Sequence, residues 1–409
     1  MIDTDMIAEI TASIKERIMR EGISDDDLVK DIIETEAFSR LSEMTIDDIV
    51  VTVDKVFSNI RSRYGPLDPY IEDDAINEIM VNGTEKIFIE KGNELVKIRE
   101  TFDTVEELES VIRKIAAMVH REVSEMHPIL DARLMDGSRV NAVLKNVALN
   151  GPSLTIRKFR KNRVTMAEMI SSGSLSSECA EFLKLIVSGG YNVFVSGGTS
   201  SGKTTFLNAL ADYIPSAERV IVIEDSSELQ MDKVDNIIRM ECKNANFMGA
   251  GQITMSGLIK TSLRMRPDKI VIGEVRGAEV SDMLQALNTG HSGMSTGHGN
   301  SCKGMLRRME AMYLMGSQIP MDAIRSQITE AIDIMVHLCR LHDGRRIVLE
   351  VNELTGMNNG EYVLNRLYYC DENFKLKPSG KRMKNTLKLK LSGLEGEYDR
   401  LQDVRTELA

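Results

Sequence analysis

The sequence predicts an α/β protein whose C-terminal half is built on a parallel sheet, preceded by a smaller α+β domain and an N-terminal helical segment. Three observations carry this. Short, continuous apolar runs (Val193 to Val195, Val220 to Ile223, Ile270 to Ile272, Ile334 to Leu338) alternate with helical segments, the pattern of strands buried on both faces. A glycine-rich loop stands between the first run and the helix after it. Between residue 66 and about 160, shorter β-rich runs are separated by the turn signals Asn82-Gly83 and Lys91-Gly92-Asn93.

Taken in order, residues 1–65 read as helices. Ile7, Ile10, Ile14 and Ile18 recur at helical spacing, and Ser24 precedes the acidic turn Asp25, Asp26, Asp27. Thr45 and Asp48 stand at capping-box spacing before an apolar stripe of Ile46, Ile49, Val50, Val53, Val56, Phe57 and Ile60. That stripe is a packing face, with its partner not legible in one sequence. The α+β domain, 66–160, holds runs at Glu78 to Val81, Lys86 to Glu90 and Glu94 to Ile98, then a helix opening at Thr104. Extended runs resume at Ala132 to Leu134, Arg139 to Leu144 and Leu154 to Phe159, with Asp136-Gly137 as a hairpin turn. A basic connector from Arg157 to Arg163 leads into a linker, 161–175, and the α/β domain spans 176–355. Residues 356–409 read as a C-terminal extension whose stretch from Lys375 to Lys390 contains bases and no acid. A solvated surface and a contact with anionic lipid or an acidic partner are both open for it.

With 409 residues and 42% hydrophobic content, two or three compact domains can each bury a core. The balance of 51 basic to 62 acidic residues, net −11, argues against a chain-wide nucleic-acid face, so no nucleic acid is expected as a partner. Five scattered cysteines without CxxC pairs point to reduced thiols. The acidic N-terminus lacks a signal peptide's basic start and apolar core, and no stretch has the apolar length of a membrane span. A cytoplasmic location is expected.

The most specific feature is Gly197-Gly198-Thr199-Ser200-Ser201-Gly202-Lys203-Thr204-Thr205, which satisfies GxxxxGK[ST] between a strand and a helix carrying Phe206, Leu210 and Tyr213. Glycine lets backbone amides approach phosphate oxygens, and the helix N-terminus favours an anion. Lys203 is expected on the β- and γ-phosphates of ATP and the Thr204 hydroxyl on Mg²⁺. Carboxylates stand at the ends of two later strands: Glu224, with Glu228 close behind, and Glu274. In a parallel sheet those ends share the phosphate loop's edge. Glu274 is the candidate for deprotonating the attacking water, with Glu224 and Glu228 positioning it or holding the metal through water. Gly273 occupies the place where most phosphate-loop enzymes have aspartate. His291 and His298 lie seven apart in a glycine-rich stretch. Three readings stay open for them: zinc ligation, with only Cys302 near as a third ligand; contact with the γ-phosphate; or histidines satisfied within the loop.

Together the phosphate loop, Ile223-Glu224-Asp225, Leu263 to Asp268 leading into Ile272-Gly273-Glu274-Val275-Arg276-Gly277, and the His291/His298 segment resemble the Walker A, Asp box, Walker B and His box of the type II and type IV secretion ATPases. The resemblance covers roughly residues 66–350 and is nearest to the CpaF-like branch of Tad/Flp pilus assembly. It implies a RecA-like ATPase domain linked to an N-terminal domain with nucleotide between them, and a homo-hexameric ring. It also implies docking on a polytopic inner-membrane platform protein at the cytoplasmic face, and indirect action on pilin subunits. Glu274 becomes the catalytic carboxylate, Glu224 and Glu228 the Asp-box acids, and His291 and His298 the His-box pair. The glycine before Glu274 is usual in that family. Arg133, Arg139 and Arg157 are the candidates for the family's N-domain arginines on the γ-phosphate. A related ATPase of DNA or effector secretion, or of pilus retraction, shares these motifs; a nucleotide-gated scaffold with negligible turnover is the alternative of a different class.

Overall fold

The computed structural model describes residues 4–408 apart from 24, 40–44, 62, 93, 160–162, 244 and 246–249. It divides into two compact units, Met1–Lys161 and Asn162–Ala409.

The first unit opens with helices α1 (Thr4–Glu21), α2 (Asp26–Ser39) and α3 (Ile46–Arg61). They bury a core of their own, in which Ile7, Ile10 and Ile14 meet Val29, Ile32, Ile33, Ile49, Val53 and Val56. The apolar stripe of α3 therefore packs partly within its own chain, while Ile46 and Val50 at its margin are exposed. Ser24 lies outside the described residues; the α2 start is capped by Asp25, whose Oδ1 accepts the amides of Asp27 and Leu28 at 3.0 Å each. Thr45 and Asp48 form the expected capping box, the Asp48 amide donating to Thr45 Oγ1 and the Thr45 amide to Asp48 Oδ2, both at 3.2 Å.

A short helix α4 (Asp68–Glu72) leads into β1 (Ile76–Asn82), β2 (Lys86–Lys91), β3 (Glu94–Lys97), helix α5 (Val105–Met118), β4 (Ile129–Arg133), β5 (Arg139–Val143) and β6 (Ser153–Arg157). The six strands form an antiparallel sheet in the order β3-β2-β1-β6-β5-β4. Leu108, Val111, Ile112 and Ile115 of α5 join Ile79, Val81, Val140 and Ile156 in its core. This is the α+β domain that the turn signals predict.

The second unit runs α6 (Met166–Ser171), α7 (Ser177–Ser188), β7 (Val193–Gly197), α8 (Lys203–Ala211), β8 (Val220–Glu224), β9 (Ile237–Glu241), α9 (Met255–Ser262), β10 (Lys269–Ile272), α10 (Glu279–Asn288), β11 (Ser292–His298), α11 (Cys302–Leu314), α12 (Met321–Ala331), β12 (Ile334–Arg340), β13 (Arg346–Asn358), β14 (Glu361–Cys370), β15 (Leu376–Pro378), α13 (Leu387–Leu391) and α14 (Glu395–Leu408). Its sheet has nine strands in the order β15-β14-β13-β12-β7-β11-β10-β8-β9. From β12 to β9 every neighbouring pair is parallel. Alternate residues serve two cores. Val193, Val195, Val220 and Val222 pack with α7 and α8, whereas Phe194, Ile221, Ile223, Ile270 and Ile272 pack with α9 to α12. Burial on both faces is why these strands read as unbroken apolar runs.

Two boundaries drawn from the sequence are corrected. Within 161–175, where residues 161 and 162 lie outside the description, α6 carries a full capping box of Thr165 and Glu168, and Met166 and Met169 enter the core. The extension at 356–409 is not a separate solvated tail: β13 runs through the boundary, and β13 to β15 add three antiparallel strands to the sheet. Its basic stretch is partly neutralised, since Lys377 pairs with Asp371 at 2.8 Å, Arg382 with Asp403 at 3.5 Å and Lys388 with Asp333 at 2.6 Å. The buried Glu353 carboxylate accepts the amides of Lys384 and Asn385 at 2.9 and 2.8 Å and fastens the chain there to β13. Charge count along the sequence cannot show that these bases meet acids on other elements. Among the described residues no helix is long and apolar enough to cross a membrane.

Candidate functional site

The phosphate loop lies between β7, buried throughout, and α8. Gly202 caps α8 with φ +89°, a conformation open to glycine at little cost. The first bond of the helix runs from the Phe206 amide to the Gly202 carbonyl at 2.8 Å, so the amides of Lys203, Thr204 and Thr205 precede it and lack acceptors within the helix. Such amides, with the helix dipole, form a receptor for an anion.

Strand register assembles the rest. His298 stands opposite Gly197 in the β11–β7 ladder, and Ile272 opposite both Ile223 and Ser295, so Glu224, Glu274, His298 and the loop share the C-terminal edge of the sheet. There Lys203 Nζ lies 3.0 Å from the Gly198 carbonyl and 3.3 Å from His298 Nδ1, while His298 Nε2 lies 3.2 Å from Glu274 Oε1. An ammonium has only donors, so Nδ1 must accept, and the ring's proton is on Nε2, directed at the carboxylate. Burial, then the Lys203 charge, pulls the imidazole below its ordinary range against the opposing pull of Glu274, which agrees with a neutral ring. Burial also lowers the Lys203 ammonium, opposed by Glu274. The edge thus carries a chain of ammonium, neutral imidazole and carboxylate.

Glu224 behaves differently. It is 3% exposed, and its Oε1 accepts the amides of Glu228 at 2.8 Å and Leu229 at 3.0 Å. It shapes the turn that carries Glu228. Gly273 has a steric reason as well: a Cβ there would lie 3.0 Å from Glu224 Cγ. Burial raises the Glu224 carboxyl to about 7, outweighing the two amide bonds that lower it. The folded protein then holds a proton that the unfolded chain loses near its ordinary range. Stability from this group is present below that range and lost as pH rises through about 7, on the order of 3 kcal/mol in all. Glu224→Gln should flatten the fall in stability between about pH 5 and pH 8, read from urea midpoints; a fall equal to that of wild type would remove Glu224 as its source.

The two histidines stand at opposite ends of β11. His291 precedes β11 and His298 ends it, about 20 Å apart at strand rise. His291 Nδ1 instead lies 3.2 Å from Thr289 Oγ1 and 3.3 Å from the Ala286 carbonyl, at the end of α10. A zinc ion shared by the two is excluded by this separation. The seven residues of β11, which ends at His298, account for it. Thr204 lies on the first turn of α8; among the described residues no group of three or more His, Cys, Asp or Glu is preassembled for a metal.

In the first unit the three candidate arginines prove to be neighbours. Arg133 stands opposite Arg139 in the β4–β5 ladder and Arg139 opposite Arg157 in the β5–β6 ladder. Directly opposed residues share a face, so the three form a row. Arg133 also donates from Nε to the Gly137 carbonyl at 3.2 Å and lies over the Phe159 ring.

Sequence reasoning missed several residues. Asn208, buried in α8, accepts the Gln230 amide at 2.8 Å and ties the turn after Glu224 to the phosphate-loop helix. An amide among Leu207, Ala209 and Leu210 was the available signal. Arg276 pairs with Asp225 and so joins the ends of β10 and β8. Neither partner predicts the other, because 51 residues separate them.

Residues 61–366 match the family described as "Type II/IV secretion system protein". The chain belongs to that family. An uncharacterized protein of Methanocaldococcus jannaschii is 38% identical over 288 residues, covering 68% of this chain but 39% of its own length. The present secretion-family chain thus spans well under half of that relative. Conjugal transfer protein TrbB of Rhizobium radiobacter is 31% identical over 298 residues, covering 71% of this chain and 88% of TrbB. The Legionella pneumophila ATPase DotB matches in structure with a TM-score of 0.52 at 21% identity, over 75% of this chain and 82% of DotB. That likeness concerns the fold, a RecA-like P-loop domain preceded by an N-terminal domain, as expected for a secretion-family member.

Proposed function

We propose that the chain is the ATP-hydrolysing motor of a pilus assembly or secretion system. The observation that carries this is the chain Lys203, His298, Glu274 beside the phosphate loop. In this reading the loop amides and Lys203 bind the β- and γ-phosphates of ATP, and Thr204 holds Mg²⁺. Bound Mg²⁺ neutralises phosphate charge. Glu274 takes the proton of the water that attacks the γ-phosphorus, and His298 orients Glu274 through its Nε2–H. Glu224 positions Glu228. We assign Arg133, Arg139 and Arg157 to the γ-phosphate, the role that N-domain arginines have in the secretion ATPases; their alignment in one row across β4, β5 and β6 supports a shared ligand, with Glu78 opposite Arg157 at one end of the row. The working form is a homo-hexamer at the cytoplasmic face of the inner membrane, on a polytopic platform protein, moving pilin subunits in the manner of the CpaF-like branch. Kinship with TrbB favours a second reading, a type IV secretion ATPase of DNA transfer.

Steady-state phosphate release by the hexameric full-length chain tests the motor. Lys203→Ala should lose nucleotide binding and turnover together, while Arg139→Ala should keep affinity within a few-fold and lose about 10³ in rate. Equal background release by wild type and both variants would sink the motor reading.

A further inference from the structure

The β12–β13 hairpin carries none of the four motifs, yet it walls one side of the phosphate loop. Leu338 stands opposite Gly197 in the β12–β7 ladder, and a Cβ on Gly197 would meet the Leu338 carbonyl oxygen at 2.7 Å. Arg346, the first residue of β13, reaches the loop itself. Its Nε donates to the Ser200 carbonyl at 3.0 Å, and its Cδ lies 3.1 Å from where a Cβ on Gly202 would stand. Ser200 has φ +58°, in the left-handed region that side chains rarely adopt and that persists where the surroundings over-determine it.

We infer that Arg346 is a positioning residue of the nucleotide site, one that holds the phosphate loop in its binding conformation by fastening the Ser200 carbonyl. The inference rests on the nucleotide reading above. Because a peptide unit is planar and trans, fixing the Ser200 carbonyl also fixes the direction of the Ser201 N–H. A loop held ready in this way loses less conformational freedom when phosphate arrives, and binding is tighter for it. Arg346 thereby offsets the disfavoured backbone of Ser200 across 146 residues of sequence. Glycine at position 200 would adopt the same φ unaided.

The test is titration of a fluorescent ATP analogue with Mg²⁺ into four full-length proteins: wild type, Arg346→Ala, Ser200→Gly and the double variant. Arg346→Ala should weaken binding about tenfold in the serine background, and less than about twofold in the glycine background. Arg346→Met keeps the aliphatic stem beside Gly202 without the donor; it should repeat the tenfold loss and serves if the alanine variant does not fold. An equal loss in both backgrounds, or none with serine at 200, overturns the inference. Failure of wild type itself to bind the analogue removes the nucleotide reading first, and this inference with it.

Discussion

Glu274→Gln should lower phosphate release by roughly 10² to 10⁴ while nucleotide affinity stays within a few-fold. The substitution keeps an oxygen that accepts the His298 Nε2–H, so the imidazole and, through its Nδ1, the Lys203 ammonium retain their 3.2 and 3.3 Å contacts. What is lost is a basic oxygen beside the phosphate loop and the negative charge that favours the Lys203 ammonium. Stopped-flow binding measured beside steady-state release separates the two effects. Parallel loss of affinity and rate would make Glu274 a group that organises the loop, and the base would have to be sought among the other carboxylates of that edge.

Gly273→Asp, which installs the aspartate common in phosphate-loop enzymes, should destabilise the protein by about 3 kcal/mol. The new Cβ would meet Glu224 Cγ at 3.0 Å, and the new carboxylate would approach one that is already 3% exposed and raised to about 7. Steric crowding and like charge then act together. For a unit of this size the loss corresponds to a fall in melting temperature of roughly 6 to 12 °C. Above about pH 7, where the Glu224 carboxyl is ionised, adding Glu224→Gln should recover part of the loss by removing the charge but not the contact. An unchanged melting temperature in Gly273→Asp would refute the steric account of this glycine.

Legibility in the sequence followed the range of each signal. The strand preceding Gly197, the helix opening at Lys203 and the carboxylates ending β8 and β10 were all readable, because a strand buried on two faces and a helix cap are written within a few consecutive residues. The cap of α5 by Thr104, accepting the Glu107 amide at 3.1 Å, belongs to the same class. The boundary at 355/356 failed because β13 mixes partly and fully buried positions and, with Glu350, Asn352 and Glu353 in it, shows no unbroken apolar run. Membership of the His291/His298 stretch in a strand was only half visible, since Gly293 and Gly297 hide a strand whose middle is buried.

The sequence by itself determined that a phosphate-binding loop opens a helix after a buried strand, and that acids end the strands beside it. Hydrogen bonds from residue i to i+4 and the period of burial enforce those features locally. Only the tertiary structure decided which groups meet. Strand order set His298 between Lys203 and Glu274 and sent His291 to the far edge. Ladder register lined up Arg133, Arg139 and Arg157, and a hairpin distant in sequence brought Arg346 to Ser200. Pairing across a sheet depends on which strands become neighbours, a choice made by burial over the whole domain and written in no single segment of the chain.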